Sequence, residues 1–142
     1  MTYLDTSVLV PLYVSEKGSG NARKLLASHS QSDLAISEWS RTEFVSAVGI
    51  RVRTHALDSQ AARNIIGAFH HLALRALTLL PVDSADFGLA NRYLEHFDLG
   101  LKAGDALHLA VASNHGAELC SSDQVMLRCA RRVGIKAHGP LH

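Results

Sequence analysis

The stretch TYLDTSVLV, residues 2–10, decides how this chain folds. Its first part is an apolar run with a tyrosine, a residue favoured in strands, and it stops at Asp5 and two hydroxyl residues. A second apolar run follows with the spacing of a helix. We therefore predict a strand, then Asp5 at its carboxyl end, then a helix. Ligands bind at that end of the strands in an open α/β sheet, although Asp5 alone is also explained as a helix N-cap.

Composition limits the class of protein. The chain has 142 residues, 47% of them hydrophobic, which predicts a single domain over residues 1–142 with its own core. Fourteen Lys and Arg against thirteen Asp and Glu give a formal charge of +1, so nucleic-acid binding would need a local basic patch. The apolar stretches are too short to span a membrane and no signal-peptide pattern is present, which predicts a soluble, cytoplasmic protein. Cys120 and Cys129 lack CxxC spacing, so we expect two reduced, buried thiols.

Strand-like and helical patterns alternate along the rest of the chain. A polar loop is expected at residues 15–20, and later helices are expected to begin at Ser40 or Thr42 and at Asp105. This alternation predicts an α/β fold, a three-layer α/β/α sandwich around a mainly parallel sheet of about five strands. The expected strands after the first are residues 34–37, 77–82, 118–121 and 135–137.

Four carboxylates stand at related positions in this pattern. Asp5 and Asp123 each end a predicted strand, Asp105 opens the most apolar helix, and Glu43 lies in the first turns of another. Each alone is explained as a helix cap or a solvated acid. Right-handed crossovers, however, bring strand ends and the following helix starts to one edge of a sheet, so the four can converge. Clustered carboxylates raise one another's pKa unless a cation neutralises them, and oxygen-only ligands suit a hard ion such as Mg²⁺ or Mn²⁺.

Four segments, taken in order, resemble the signature segments of PIN-domain ribonucleases and, more narrowly, of VapC toxins. They are YLDTS at 3–7, SEWSRTE at 37–43, GDALHLA at 104–110 and LCSSD at 119–123. The resemblance covers essentially the whole chain and implies a single PIN domain over residues 1–142. It also implies a Mg²⁺- or Mn²⁺-dependent endoribonuclease that hydrolyses RNA phosphodiester bonds as the toxin of a toxin-antitoxin system. A homodimer and a cognate antitoxin partner are further implications.

The resemblance also assigns roles to the acids and to two hydroxyl residues. Asp5 and Asp105 would be the core metal ligands and catalytic residues, with Glu43 and Asp123 completing the acidic pocket directly or through water. Ser7 and Ser121 would orient carboxylates or water, although each is equally explained as an ordinary cap hydroxyl. The family often has Thr where this chain has Ser121, which keeps the hydroxyl.

Other residues have both an ordinary and a functional interpretation. His108 lies one turn after Asp105 and is expected to be a hydrogen-bonded packing histidine, although it could touch the site. Trp39 and Phe44 either build a groove for an antitoxin or belong to the core. Five basic residues are candidates for phosphate contacts or for a solvated helix face. They are Arg41, Lys102, Arg128, Arg131 and Arg132.

Two other function classes compete with the nuclease. One is a non-catalytic RNA- or partner-binding module on the same fold, which would have no reason to keep acids at all four positions. The other is phosphoryl transfer through an aspartyl nucleophile at Asp5. Dehalogenase-type phosphatases want a second acid two residues later, and this chain has Ser7 there.

Overall fold

The computed structural model of the protein describes residues 1–14, 19–28 and 33–140. Five parallel strands form one sheet, in the spatial order β3-β2-β1-β4-β5. The chain therefore begins in the central strand, which is buried along its whole length. The strands are β1 (Thr2–Leu4), β2 (Leu34–Ser37), β3 (Thr78–Leu80), β4 (Glu118–Cys120) and β5 (Ala137–His138).

Helices connect the strands and cover both faces of the sheet. In the described part of the chain, two helices follow β1, two follow β2 and two follow β3, whereas a single helix joins β4 to β5. A short 3₁₀ helix, Phe97–Leu99, lies between the fifth and sixth of them. The described α-helices are α1 (Thr6–Tyr13), α2 (Ser19–Ser28), α3 (Glu38–Arg53), α4 (Ser59–Arg75), α5 (Ser84–Leu94), α6 (Ala103–Asn114) and α7 (Gln124–Arg132).

Successive side chains of β1 enter two separate hydrophobic layers. Tyr3 packs in the layer formed by α5, α6 and α7, and Leu4 packs in the layer formed by α1 to α4. This follows from the two-residue period of a strand, which sends neighbouring side chains to opposite faces. Helices cover both faces, so the parallel sheet is buried on each side as such sheets normally are. The predicted three-layer α/β/α fold is confirmed.

The order of the strands places a topological switch point beside β1. The chain leaves β1 towards β2, but it leaves β4, the other neighbour of β1, towards β5. Because crossovers are right-handed, the connection from β1 to β2 and the connection from β4 to β5 place their helices on opposite faces of the sheet. The two connections therefore diverge at the carboxyl ends of β1 and β4. Such a switch point is where open α/β sheets bind ligands. Asp5 directly follows one of these strand ends, and Asp123 follows the other by three residues.

Several predicted boundaries are shifted by local hydrogen bonding. Helix α3 begins at Glu38, before the expected start, because Ser37 and Ser40 form a reciprocal capping box. Helix α6 begins at Ala103, so Asp105 lies inside its first turn rather than at its start. The last strand is Ala137–His138 rather than 135–137. Of the expected polar loop, residues 15–18 lie outside the described residues, whereas Ser19 and Gly20 belong to α2.

Two smaller predictions concern the cysteines and the membrane. Cys120 and Cys129 are free thiols and both are buried, as expected. Burial raises the pKa of Cys120 to about 12, so this thiol stays protonated and inert at neutral pH. Within the described ranges, no helix has both the length and the apolar character needed to cross a membrane.

Candidate active site

Asp5 is held by hydroxyl groups at the end of the central strand. It is only 4% exposed, and its Oδ1 accepts hydrogen bonds from the Ser7 amide at 3.1 Å and the Ser7 hydroxyl at 2.5 Å. Its Oδ2 accepts a hydrogen bond from Ser121 Oγ at 2.7 Å. Asp5 therefore does cap α1, as the simplest interpretation predicted, but its second oxygen is bound by a residue that follows β4.

The end of β4 is tied to the same cluster through Ser121 and Ser7. Ser121 Oγ accepts a hydrogen bond from the Asp123 amide at 3.0 Å, and Ser7 Oγ accepts one from the Ser122 amide at 2.9 Å. Asp123 is exposed and caps α7 through Oδ1, which accepts from the Val125 amide at 2.9 Å. Ser7 and Ser121 thus both donate a hydrogen bond to Asp5.

Glu43 approaches this edge from the second turn of α3. Its Oε1 accepts a hydrogen bond from Thr6 Oγ1 at 2.7 Å and a short one from His108 Nε2. Burial opposes ionisation of Glu43, but the hydrogen bonds from His108 and Thr6 and the electrostatic effect of His108 outweigh it, so its pKa is lowered. Glu43 is therefore a carboxylate at neutral pH.

Asp105 lies in the first turn of α6 and is half-buried. Burial raises its pKa, and Glu43, Asp123 and Asp5 raise it further against the opposing effect of His108. The pKa of Asp5 is raised mainly by burial, which outweighs the effects of His108, Ser7 and Ser121. The other three predicted acids are thus close enough for their charges to act on Asp105, at one edge of the sheet.

A buried polar chain under the acids was not foreseen from the sequence. Tyr3 is 0% exposed, and its hydroxyl contacts His108 Nδ1 at 2.6 Å and Ser37 Oγ at 2.8 Å. Thr6, whose hydroxyl donates a hydrogen bond to Glu43 and so connects to this chain, was also not foreseen from the sequence. His108 is 1% exposed and hydrogen-bonded, as expected, but it also contacts the acidic cluster. A tyrosine in a central, fully buried strand was the available signal, because a buried phenol needs a hydrogen-bond partner.

Gly104 leaves no space for a side chain between α3 and α6. A Cβ atom at this position would lie 3.0 Å from Glu43 Oε2 and 3.1 Å from Trp39 Cζ2. Neither neighbour is free to withdraw, since Glu43 Oε1 is bound by two donors and Trp39 Nε1 donates to the Gly104 carbonyl at 3.2 Å. Glycine here lets Glu43 come close to the residue that precedes Asp105.

We expect Gly104→Ala to lower the free energy of unfolding by about 1–3 kcal/mol, the usual cost of overpacking a rigid contact. Gly67→Ala is the matched control, because Gly67 is also helical and has nothing within 4 Å of its Cβ position. That control should gain up to about 1 kcal/mol from helix propensity. Chemical denaturation followed by circular dichroism measures both variants. Equal stabilisation of the two would contradict the close contact.

The aromatic and basic candidates are mostly occupied by structural contacts. Phe44 is fully buried in the core, whereas Trp39 lines an apolar cavity of about 230 Å³ together with Phe87 and Leu107. Arg41 pairs with Glu38 at 3.4 Å, and Arg132 pairs with Asp98 at 3.1 Å. Arg131 donates to the Ala137 carbonyl at 2.9 Å. Lys102 and Arg128 are exposed.

The acids share an edge but do not form a closed ligand shell. Among residues 1–14, 19–28 and 33–140, no three carboxylate, imidazole or thiol groups are arranged to hold one metal ion. The charges explain this spacing, because carboxylates repel one another and the protein's own donors hold Asp5 and Glu43. The donor set itself, carboxylate oxygens with two pKa values raised, is the chemistry that a hard divalent cation prefers.

Comparison with known families settles the class of the domain. The sequence model of the PIN domain matches residues 2–132, which include all four acids. The chain belongs to the PIN domain family. The resemblance seen in its four segments is thereby confirmed at the level of the family. No significant match is found among curated proteins.

Solved structures share this PIN fold at low sequence identity. FitAcB from Neisseria gonorrhoeae is 17% identical with a TM-score of 0.79, covering 100% of this chain and 99% of that one. The sarcin-ricin loop cleaving toxin VapC20 from Mycobacterium tuberculosis is 19% identical with a TM-score of 0.74, covering 95% and 96%. A toxin-antitoxin complex from Klebsiella pneumoniae is 17% identical with a TM-score of 0.67, covering 100% and 99%. The TM-scores over nearly the full length of these chains establish a common fold.

Proposed function

We propose that this PIN domain, taken as residues 1–142, is a metal-dependent endoribonuclease of the VapC type that hydrolyses RNA phosphodiester bonds. The observation that carries the proposal is the grouping of four acids at the switch point of the sheet, where Asp5, Glu43 and Asp123 all raise the pKa of Asp105. Asp5 is buried and Glu43 and Asp105 are half-buried, and a group of carboxylates in such surroundings is unfavourable unless a cation binds it. A purely structural role for these acids would not require such an unfavourable grouping.

Asp5 and Asp105 are the proposed core ligands of a Mg²⁺ or Mn²⁺ ion, with Glu43 and Asp123 completing the pocket directly or through water. The ion would supply polarisation of the phosphoryl oxygen, a lowered pKa for the attacking water and charge neutralisation at the leaving oxygen. Ser7 and Ser121 orient the two oxygens of Asp5 by donating a hydrogen bond to each. Asp5 is therefore fixed in place before any ion or substrate binds.

The proposal extends to a toxin role with a cognate antitoxin, a homodimeric assembly and a cytoplasmic location. Support for the toxin role comes from the similar structures, which include a sarcin-ricin loop cleaving toxin and a toxin-antitoxin complex. Lys102 and Arg128, which are exposed, are the proposed contacts for RNA phosphates. The alternative is an RNA- or partner-binding module on the same fold that performs no cleavage.

The test is cleavage of total cellular RNA by the purified protein with Mg²⁺ or Mn²⁺, beside EDTA and an Asp5→Asn/Asp105→Asn variant. The matched control is Asp58→Asn/Asp98→Asn, because Asp58 caps a distant helix and Asp98 is on the surface. We expect discrete fragments from the wild type and the control, and none from the site variant or with EDTA.

Other outcomes of this test separate the alternatives. Cleavage that survives in the folded site variant would reject the assigned acids. Absence of cleavage together with absence of a Mn²⁺-induced thermal shift would favour the binding module, since only a protein that binds the ion is stabilised by it.

A further inference from the structure

We infer that Tyr3 and His108 form a buried hydrogen-bond relay that positions Glu43 at the acidic edge. The inference rests on the proposed function and identifies the residues that set the geometry of its site. The relay runs from Ser37 and Ser40 through Tyr3 and His108 to Glu43.

Burial makes each contact of the relay obligatory. Tyr3 is 0% exposed, His108 is 1% exposed, and both Ser37 and Ser40 are 0% exposed. A polar group buried without a partner costs about 1–3 kcal/mol, so each of these groups needs its neighbour. Among the described residues, no buried side-chain nitrogen or oxygen lacks a hydrogen-bond partner. The chain of contacts is therefore complete.

The direction of the relay is fixed at its Glu43 end. The ionised carboxylate of Glu43 only accepts, so His108 Nε2 must donate to it. On the other side of the ring, His108 Nδ1 contacts the Tyr3 hydroxyl at 2.6 Å. The Tyr3 hydroxyl also contacts Ser37 Oγ at 2.8 Å and Ser40 Oγ at 3.2 Å. The contacts are therefore continuous from Glu43 to the two serines.

The backbone anchors the far end of the relay. The Ser40 amide donates to Ser37 Oγ at 3.3 Å, and the Ser37 amide donates to Ser40 Oγ at 3.0 Å. Each serine oxygen therefore accepts from a backbone amide and also contacts the Tyr3 hydroxyl. The capping box of α3 is in this way the starting point of the relay.

The relay links the three elements that carry the buried and half-buried acids. Tyr3 lies on β1 two residues before Asp5, and His108 lies on α6 three residues after Asp105. The contacts start at the beginning of α3 and return to α3 at Glu43, which closes a ring through β1 and α6. Displacement of any one element would break a buried hydrogen bond, so the ring holds the three elements in register.

The two oxygens of Glu43 have different surroundings. Oε1 is bound by His108 and Thr6, whereas Oε2 lies on the side of Gly104, 3.0 Å from its Cβ position. Two donors on one oxygen fix the rotation of the carboxyl group and direct the other oxygen towards the backbone before Asp105. An apolar residue in place of His108 would occupy the same buried position, which is 1% exposed, but would leave Glu43 without this restraint.

The test measures Mn²⁺ affinity of the purified protein by electron paramagnetic resonance of the free ion, without RNA. We expect His108→Leu to weaken Mn²⁺ binding about 10- to 100-fold, the usual effect of losing a residue that orients a ligand. Tyr3→Phe should weaken it less. His108→Gln should recover part of the affinity, because its amide can still donate to Glu43. On an RNA that the wild type cleaves, His108→Leu should lower kcat more than it changes KM.

The matched controls remove a similar group outside the relay. Tyr13→Phe removes the hydroxyl of a tyrosine that packs against Phe44 and Phe69, and His115→Gln changes a histidine that contacts its own helix. Both should keep Mn²⁺ affinity within about twofold of the wild type. Tyr3→Phe added to His108→Leu should have no further effect, because the relay is already broken.

Two results would overturn the inference in distinguishable ways. If Glu43→Gln weakens Mn²⁺ binding but folded His108→Leu and His108→Gln do not, the relay is rejected and the proposed function stands. If neither Glu43→Gln nor Asp5→Asn changes Mn²⁺ affinity, the proposed metal site is rejected and the relay with it. If His108→Leu does not fold, the Mn²⁺ affinities of Tyr3→Phe and His108→Gln, which are smaller changes, test the relay instead.

Discussion

Asp5→Asn should lower metal-dependent RNA cleavage by at least about 1000-fold and should leave the metal-free protein as stable as the wild type or more stable. The loss follows because a metal ligand contributes several kcal/mol to transition-state stabilisation, and about 1.4 kcal/mol corresponds to a factor of ten in rate. The stability follows because Asp5 is 4% exposed and its charge is buried without a cation. Cleavage assays and chemical denaturation in EDTA measure the two effects.

The hydrogen bonds around Asp5 can accommodate the amide. Asn keeps an oxygen at the position of Oδ1, where Ser7 donates through its amide and its hydroxyl. Its NH₂ group then faces Ser121 Oγ, which can accept it and turn its own proton to Ser7 Oγ at 3.3 Å. The variant therefore removes a charge and keeps a hydrogen-bond partner for each terminal atom of the side chain.

The pH dependence of stability gives a second measurement on Asp5→Asn. The folded pKa of Asp5 is raised by burial above the unfolded value of about 3.9. The contribution of Asp5 to the free energy of unfolding is therefore fully present below the unfolded pKa and is lost as pH rises through the folded pKa. In EDTA the variant should gain stability over the wild type as pH rises above about 4. The lowered pKa of Glu43 affects both proteins alike, whereas loss of the Asp5 charge also reduces the rise in the pKa of Asp105, which adds to the gain of the variant.

Addition of Mn²⁺ should make the wild type more stable than Asp5→Asn. An ion that binds the folded protein stabilises it by about 2.7 kcal/mol at 100 times its Kd, and Asp5→Asn should not show this gain. Asp58→Asn, at a distant helix cap, should follow the wild type throughout. A variant that is less stable than the wild type in EDTA, or that keeps the Mn²⁺ gain, would contradict the role given to Asp5.

Phe69→Ala should lower the free energy of unfolding by about 3–5 kcal/mol, the usual cost of removing a fully buried phenyl ring. The Phe69 ring stacks on Phe44 with centroids 3.9 Å apart, and Tyr13 meets both rings edge-on. These contacts join α1, α3 and α4 on one face of the sheet. Because Phe44 adjoins Glu43, the same packing supports the helix that carries this acid. Urea denaturation followed by circular dichroism measures the loss.

Phe97→Ala is the control for this loss. Phe97 is 88% exposed, so the same truncation should change stability by no more than about 0.5 kcal/mol. A Phe69→Ala variant that loses less than about 1 kcal/mol would mean that the stack relaxes into the space and is not a rigid support of α3.

Local patterns were enough to predict the order of the elements and the general position of the acids. Short apolar runs identified the strands, helical spacing identified the helices, and carboxylates stood where parallel strands end. The fold and the family are confirmed. The boundaries were less accurate, because the start of α3 depends on the reciprocal bonds of Ser37 and Ser40, a pairing of side chains that spacing alone does not indicate. The roles of the four acids stay predictions.

The sequence by itself determined which side chains are available at the acidic edge, since the alternation of strands and helices places the four acids there. Only the tertiary structure decided which of these acids are fixed by hydrogen bonds and which residues donate them. Tyr3 meets Ser37 across 34 positions and His108 across 105 positions of the chain, and Ser121 meets Asp5 across 116. Such contacts depend on the order of strands and the packing of helices, which bring distant residues together, whereas sequence periodicity reports only on neighbours a few residues apart.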